Sequence, residues 1–158
     1  MRKIQNALIT VFNKENVDII ANELQLLDIR IFSTGGTYEY LQKKGFAVTS
    51  IESITGYPSI FGGRVKTLHP TIMGGILYRR DNQEDIEQAK QYNIPPIDLI
   101  IVDLYPFEDT LRQTDKEEEI IEKIDIGGIS LIRGAAKNFG HPRWSQPTPS
   151  DFPPEVTL

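Results

Sequence analysis

The chain has 158 residues, 39% of them hydrophobic and 25% charged, with a formal net charge of −5. That size and balance fit one soluble globular domain, and the acidic sign argues against a sequence-independent nucleic-acid surface, which needs a basic stripe. Lack of cysteine excludes disulfides, thiolate catalysis and cysteine-ligated zinc, and two histidines make a histidine-rich metal site unexpected.

Residues 1–6 lead into a short apolar run rather than a signal-peptide core, and no apolar run approaches the ~20 residues that cross a bilayer, so the expected location is the cytoplasm, with no membrane partner. Residues 7–12 (ALITVF) read as a buried strand, and Asn13 reads as the cap of a helix with Val17, Ile20, Ala21, Leu24 and Leu27 on one stripe. A second strand is predicted at 29–32. The turn 33–37 (STGGT) then enters a helix through Tyr38 and Leu41 that ends at Gly45. A third strand is predicted at 46–51, a strand-like run at 74–78, a polar helix at 84–92, and a strand buried on both faces at 98–104. A further helix begins at 117–123 with Ile120, Ile121 and Ile124 on one side, and a glycine-entered helix follows 125–128. Alternating strands and helices predict an α/β fold: a parallel sheet with helices on both faces and ligands at the carboxyl ends of the strands.

Four segments carry chemistry. Residues 62–70 (GGRVKTLHP) gather the cations Arg64 and Lys66, the Thr67 hydroxyl and the His69 imidazole between a glycine pair and a proline. Such density suits an anionic ligand better than it suits packing, although a solvated loop is the competing reading. The turn 33–37 offers hydroxyls and close backbone approach at a helix N-terminus, where free N–H groups and the dipole favour phosphate; a simple cap is the alternative. Lys14, after the first strand, would add a cation to the same pocket, or else is a solvated first-turn lysine. Tyr105 ends the most apolar strand, where its phenol could donate to a developing oxyanion or plug the strand end. Asp125 stands at the entry to the last helix, most simply as its cap, with Lys137 two to three turns on.

Segments 33–37 (STGGT), 63–70 (GRVKTLHP), 104–107 (LYPF), 125–128 (DIGG) and 135–138 (AAKN) together resemble the signatures of the IMP cyclohydrolase domain of the bifunctional purine biosynthesis protein, the partner of AICAR transformylase. The resemblance runs from about Ala7 to Asn138, in order and spacing. It implies a methylglyoxal-synthase-like fold and closure of 5-formamidoimidazole-4-carboxamide ribotide to IMP with loss of water, without metal or organic cofactor, on a small nucleotide substrate; it leaves room for a homodimer. By motif match it implies the catalytic set Lys66, Tyr105, Asp125 and Lys137. It further implies a 5'-phosphate site of Lys14, Ser33, Thr34, Gly35, Gly36 and Thr37 with Thr10, and a nucleotide border of Arg64, Thr67, Asp103, Ile126 and Gly127.

The chain departs from that pattern in three places. Phe12 stands where a small hydroxyl residue is common, and Asp103 stands where asparagine is usual. Residues 140–158 hold five of the ten prolines where the family continues into another strand and a transformylase domain. The expectation is therefore a cyclohydrolase-like domain over 1–139, truncated, followed by an irregular tail that looks foreign to it, with transformylase activity absent. A non-catalytic phosphate-ligand sensor of the same fold, methylglyoxal synthase itself, and an inactive fragment remain the alternatives.

Overall fold

A computed structural model describes residues 3–139; the segment 140–158, expected from its prolines to be irregular, lies outside them. The chain order is β1 (Asn6–Thr10), α1 (Val17–Leu26), β2 (Arg30–Ser33), α2 (Gly35–Lys43), β3 (Val48–Ser50), α3 (Ile51–Thr55), a 3-10 turn at Phe61–Gly63, α4 (Pro70–Leu77), α5 (Gln83–Gln91), β4 (Leu99–Val102), α6 (Phe107–Gln113), α7 (Glu117–Ile121) and α8 (Gly127–Asn138). All pairings are parallel and the sheet order is β3-β2-β1-β4. Among these residues no helix is long and apolar enough to cross a membrane.

Alternation along β1 builds the two layers. Ala7 and Ile9 face Val17, Ala21 and Leu24 of α1 and Leu41 of α2, forming one core. Leu8, one residue out of phase, joins Phe32, Ile51 of α3, Ile72 and Ile76 of α4, and Leu131 of α8 in a second core on the other face. A strand buried on both sides must be apolar at successive positions, which is why 7–9 read as a continuous run. The predicted sheet with helices on both faces is the observed one.

Three local expectations are corrected. The run 74–78, read as a strand, is the second half of α4: the His69 imidazole accepts from Thr71 N at 3.2 Å, and Pro70 occupies the first turn, where its missing N–H costs nothing. Ile72 and Ile76 then recur at helical spacing toward the second core. The Gly74-Gly75 pair within this helix allows close packing, since a methyl group on Gly75 would lie 2.5 Å from the Pro95 carbonyl oxygen. Gly75→Ala should therefore destabilise the domain by about 1–3 kcal/mol, read as a lower urea midpoint; an unchanged midpoint would show that the Pro95 segment yields freely.

Asn13 likewise does not cap α1. Its carboxamide oxygen accepts from Glu15 N at 2.9 Å in a local turn, and the helix starts after Asn16, which is left-handed at φ 61°. The third strand is also shorter than 46–51, because the Ser50 hydroxyl accepts from Ser53 N at 3.1 Å and starts α3 there.

A polar cluster ties the amino ends of β1 and β4 together. Asp98 Oδ2 accepts from Gln5 N at 3.0 Å and Asn6 N at 3.3 Å, and the buried Asn6 donates through Nδ2 to Pro96 O at 2.7 Å. The Arg80 guanidinium lies 3.7 Å from Asp98 Oδ1, donates to Gly75 O at 2.6 Å and Ile97 O at 3.1 Å, and stacks 3.5 Å from the centre of the Tyr78 ring. This cluster is at the opposite edge of the sheet from the residues singled out for chemistry.

Candidate functional site

The carboxyl ends of β1, β2 and β4 deliver Thr10, Ser33 and Val102 to one edge, and the segments predicted to carry chemistry gather there. Lys66 is central. Its side chain lies across Gly63 and reaches the start of α2, where a methyl group on Gly35 would sit 2.7 Å from Nζ. Gly35 is also left-handed, at φ 53°, so both its backbone and its neighbour require glycine. Thr67, the next residue along, is buried against the start of α8, since a methyl group on Gly127 would lie 2.8 Å from its Oγ1. The loop 63–67 thus spans two helix N-termini, and among the described residues Lys66 has no hydrogen-bond or ion-pair partner. A half-buried ammonium set at the positive end of a helix dipole is electrostatically unfavourable by itself and becomes favourable when an anion lies between them.

The turn before α2 supplies backbone rather than hydroxyl donors. Ser33 Oγ donates to Ile9 O at 2.7 Å, Thr37 Oγ1 donates to Val11 O at 2.9 Å and accepts from Val11 N at 3.1 Å, and Thr34 Oγ1 donates to Glu52 Oε1 at 2.7 Å. All three side chains are buried and hold the turn against β1 and α3. The first backbone bond is Tyr38 N to Thr34 O, 3.3 Å, so the N–H groups of Gly35, Gly36 and Thr37 have no intrahelical acceptor.

Beside this turn, Lys14 Nζ donates to Val11 O and to Phe12 O, the latter at 2.9 Å. Burial pushes its pKa below the ordinary lysine value, and the Asp103 charge partly offsets that. Asp103 accepts from Phe12 N and, at 2.9 Å, from Asn13 N. The Asp103 carboxylate therefore binds the backbone after β1. Phe12 meets Tyr105 edge to face at 5.5 Å, and Lys123 Nζ lies 5.7 Å and 5.4 Å from the two ring centres. Tyr105 is 45% exposed at the same edge.

Asp125 precedes Ile126, the residue flanking α8, and its Oδ1 accepts from Gly128 N at 2.6 Å, so it performs the capping role expected of it. Two other predicted site residues have different settings. Arg64 is exposed and pairs with Glu122. Lys137 lies in the last turn of α8, ten residues beyond Gly127, which at helical rise is about 15 Å along the axis.

The structure adds residues that the sequence reading left out of the site. A cavity of about 210 Å³ next to the loop is lined by Glu52, Tyr57, Ser59, Lys66 and His69, among others. The Tyr57 and His69 ring centres are 6.0 Å apart. His69 was visible in the loop; Glu52 and Tyr57 carried no signal, because only the fold of 51–57 brings them there. Among the described residues no group of three or more His, Asp or Glu could hold a metal ion.

The bifunctional purine biosynthesis protein PurH of Bacteroides thetaiotaomicron is 54% identical over 138 residues, covering 87% of this chain and 27% of the relative. PurH of Aquifex aeolicus is 50% identical over 133 residues, covering 84% and 26%. The chain thus spans about a quarter of the length of these relatives. Among solved structures, the crystal structure of ForH superposes with a TM-score of 0.74 at 37% identity, covering 87% of this chain and 70% of that one. The model of the MGS-like domain matches residues 16–130, which include the turn before α2, the Lys66 loop and the entry to α8, and the chain belongs to that family.

Proposed function

We propose that the chain is an IMP cyclohydrolase, closing 5-formamidoimidazole-4-carboxamide ribotide to IMP with loss of water. The observation that carries this reading is the loop 63–67, in which Lys66, an unpaired ammonium among the described residues, lies at the start of α2 and its neighbour Thr67 at the start of α8. Likeness to the amino-terminal quarter of PurH supports it.

In this reaction the carboxamide nitrogen attacks the formyl carbon of the same molecule. The new C–N bond forms, the formyl oxygen takes up negative charge and then a proton while the attacking nitrogen gives up one, and the resulting hydroxyl takes a second proton and leaves as water as the former formamide nitrogen loses its N–H proton and forms the C=N bond. Holding the two groups in a near-attack geometry and stabilising the oxyanion are the main tasks. The 5'-phosphate would sit on the N–H groups of Gly35, Gly36 and Thr37, with Lys14 as counter-charge. Ser33, Thr34 and Thr37 would shape that turn through their internal bonds, with Thr10 beside it. Lys66 and Lys137 take the electrostatic and proton-relay roles, with Tyr105 and the Asp125 end of α8 near the formyl oxygen. Thr67, Asp103, Ile126 and Gly127 would border the base, and Arg64 the outer rim. The setting would be cytoplasmic nucleotide metabolism.

Incubating the purified chain with the formylated ribotide and following IMP is the direct test. The phosphate site is tested by thermal protection: IMP should raise the melting temperature and inosine far less, since a ligand that binds only the folded state stabilises it according to its affinity. Equal protection by both would remove 33–37 as the phosphate site. One observation favours the sensor reading, the distance of Lys137 along α8 from the rest; protection by IMP without any turnover would decide for it.

A further inference from the structure

We propose that Lys123 is a positioning residue for Tyr105, fixing the phenol through a cation–π contact that it shares between the rings of Tyr105 and Phe12. This rests on the cyclisation reading above, which puts Tyr105 near the formyl oxygen, and it gives the task of holding that side chain to a residue outside the proposed catalytic set. Tyr105 needs such a support. It is 45% exposed, and its hydroxyl has no hydrogen-bond partner among the described residues, so the contacts that fix the side chain are contacts to its ring. The turn in which Phe107 N donates to Tyr105 O at 2.8 Å holds the backbone but does not set the side-chain torsions.

Three segments far apart in the chain meet at this ring. Phe12 follows β1, and its backbone is held on both sides: its N–H donates to Asp103, and its carbonyl accepts from Lys14 Nζ at 2.9 Å. Its ring meets that of Tyr105 edge to face, with centres 5.5 Å apart and planes at 66°. Lys123 stands in the turn between α7 and α8, where its N–H donates to Ile120 O at 3.0 Å. Its ammonium lies 5.7 Å from the centre of the Phe12 ring and 5.4 Å from that of Tyr105, within the roughly 6 Å over which a cation is attracted to an aromatic face. The carboxylates beside it in sequence are engaged elsewhere, Glu122 by Arg64 and Asp125 by Gly128 N. Lys123 itself makes no side-chain hydrogen bond or ion pair among the described residues, so its charge is left to the two rings. Because Asp125 caps α8 two residues further on, one short segment ties Tyr105 to the helix entry.

The test combines kinetics and ring mobility in the 158-residue chain. Lys123→Met keeps an apolar stem without the charge, Lys123→Arg keeps a cation that stacks on aromatic faces, and Tyr105→Phe keeps the ring without the hydroxyl. With the formylated ribotide as substrate, Lys123→Met should lower kcat about threefold to fivefold, the size of one exposed cation–π contact, and leave KM within about twofold. Lys123→Arg should restore kcat to within about twofold of wild type. In the Tyr105→Phe background Lys123→Met should cost nothing more, since the hydroxyl it positions is gone. In chain labelled with ¹³C in its tyrosine rings, the Tyr105 signals, identified by their loss in Tyr105→Phe, should show faster ring motion in Lys123→Met and unchanged motion in Lys123→Arg. The proposal is overturned by an equal fall in both backgrounds, by no fall, by a loss that arginine does not restore, or by a wild-type rate in Tyr105→Phe. If wild type forms no IMP, the cyclisation reading fails and ring motion alone decides: a Tyr105 ring equally rigid in Lys123→Met overturns the positioning role, and a loosened one leaves it standing.

Discussion

Replacing Lys66 by alanine should lower the rate of IMP formation by about 100-fold or more while leaving the melting temperature unchanged or slightly raised. The two halves of this expectation have one cause. Lys66 sits over Gly63 and against the start of α2, where a cation opposes the helix dipole, so the folded chain gains nothing electrostatically from it without an anion. On the proposed reading its value lies in the charge that develops on the substrate, and a preorganised cation loses little to reorganisation when that charge appears. Lys66→Arg should recover only part of the rate, since the planar guanidinium is wider than the gap an ammonium occupies between Gly63 and Gly35. Single-turnover measurement with the formylated ribotide separates the chemical step from binding. Turnover close to wild type in Lys66→Ala would remove Lys66 from the catalytic set; a large fall in melting temperature would mean that the side chain supports the loop instead.

The second large effect is on stability. Asp98→Ala should cost about 3–5 kcal/mol, because it removes the Asp98 carboxylate from beside the buried Arg80 guanidinium. The side chains of Arg80 and Asp98 are 12% and 9% exposed. The substitution also takes the acceptor from Gln5 N and Asn6 N at the start of β1. Asp98→Asn keeps one oxygen for those N–H groups and should lose less. Urea unfolding followed by circular dichroism gives both values. IMP affinity at temperatures where the variant is folded should be unaffected, since the cluster joins the amino ends of β1 and β4 and the candidate site is at their carboxyl ends. A loss below about 1 kcal/mol, the level of an exposed pair, would mean that water reaches the cluster.

Much of the molecule was legible before folding was considered. The continuous apolar runs at 7–9 and 99–102 signalled strands covered on both faces, and α1, α2 and α5 followed from stripes and turn residues close in sequence. The candidate loop was legible for a related reason: Gly63, Arg64, Lys66, Thr67 and His69 combine charge, a glycine and a proline stop in a few residues. No amphipathic period accounts for that. The misread helix α4 shows the limit. Its apolar second half reads as a strand unless one knows that Pro95 packs directly against Gly75, and that contact joins distant parts of the chain.

What only the tertiary structure decided has the same character. Strand patterns specify burial but not neighbours, so the placing of β1 between β2 and β4 came from packing. The sequence could offer Ser33, Thr34 and Thr37 as phosphate ligands; packing committed their hydroxyls to Ile9, Glu52 and Val11 and left the backbone N–H groups open. It also drew Arg64 out to Glu122 and set Lys137 at the far end of α8. Glu52 and Tyr57 became neighbours of Lys66 only through the turn that follows α3. Residue type and local spacing determine which chemistry a segment can offer, because they act within a turn or two of backbone. Which groups stay available is settled by hydrogen bonds between residues far apart in the chain, and those exist only once both cores have closed on the sheet.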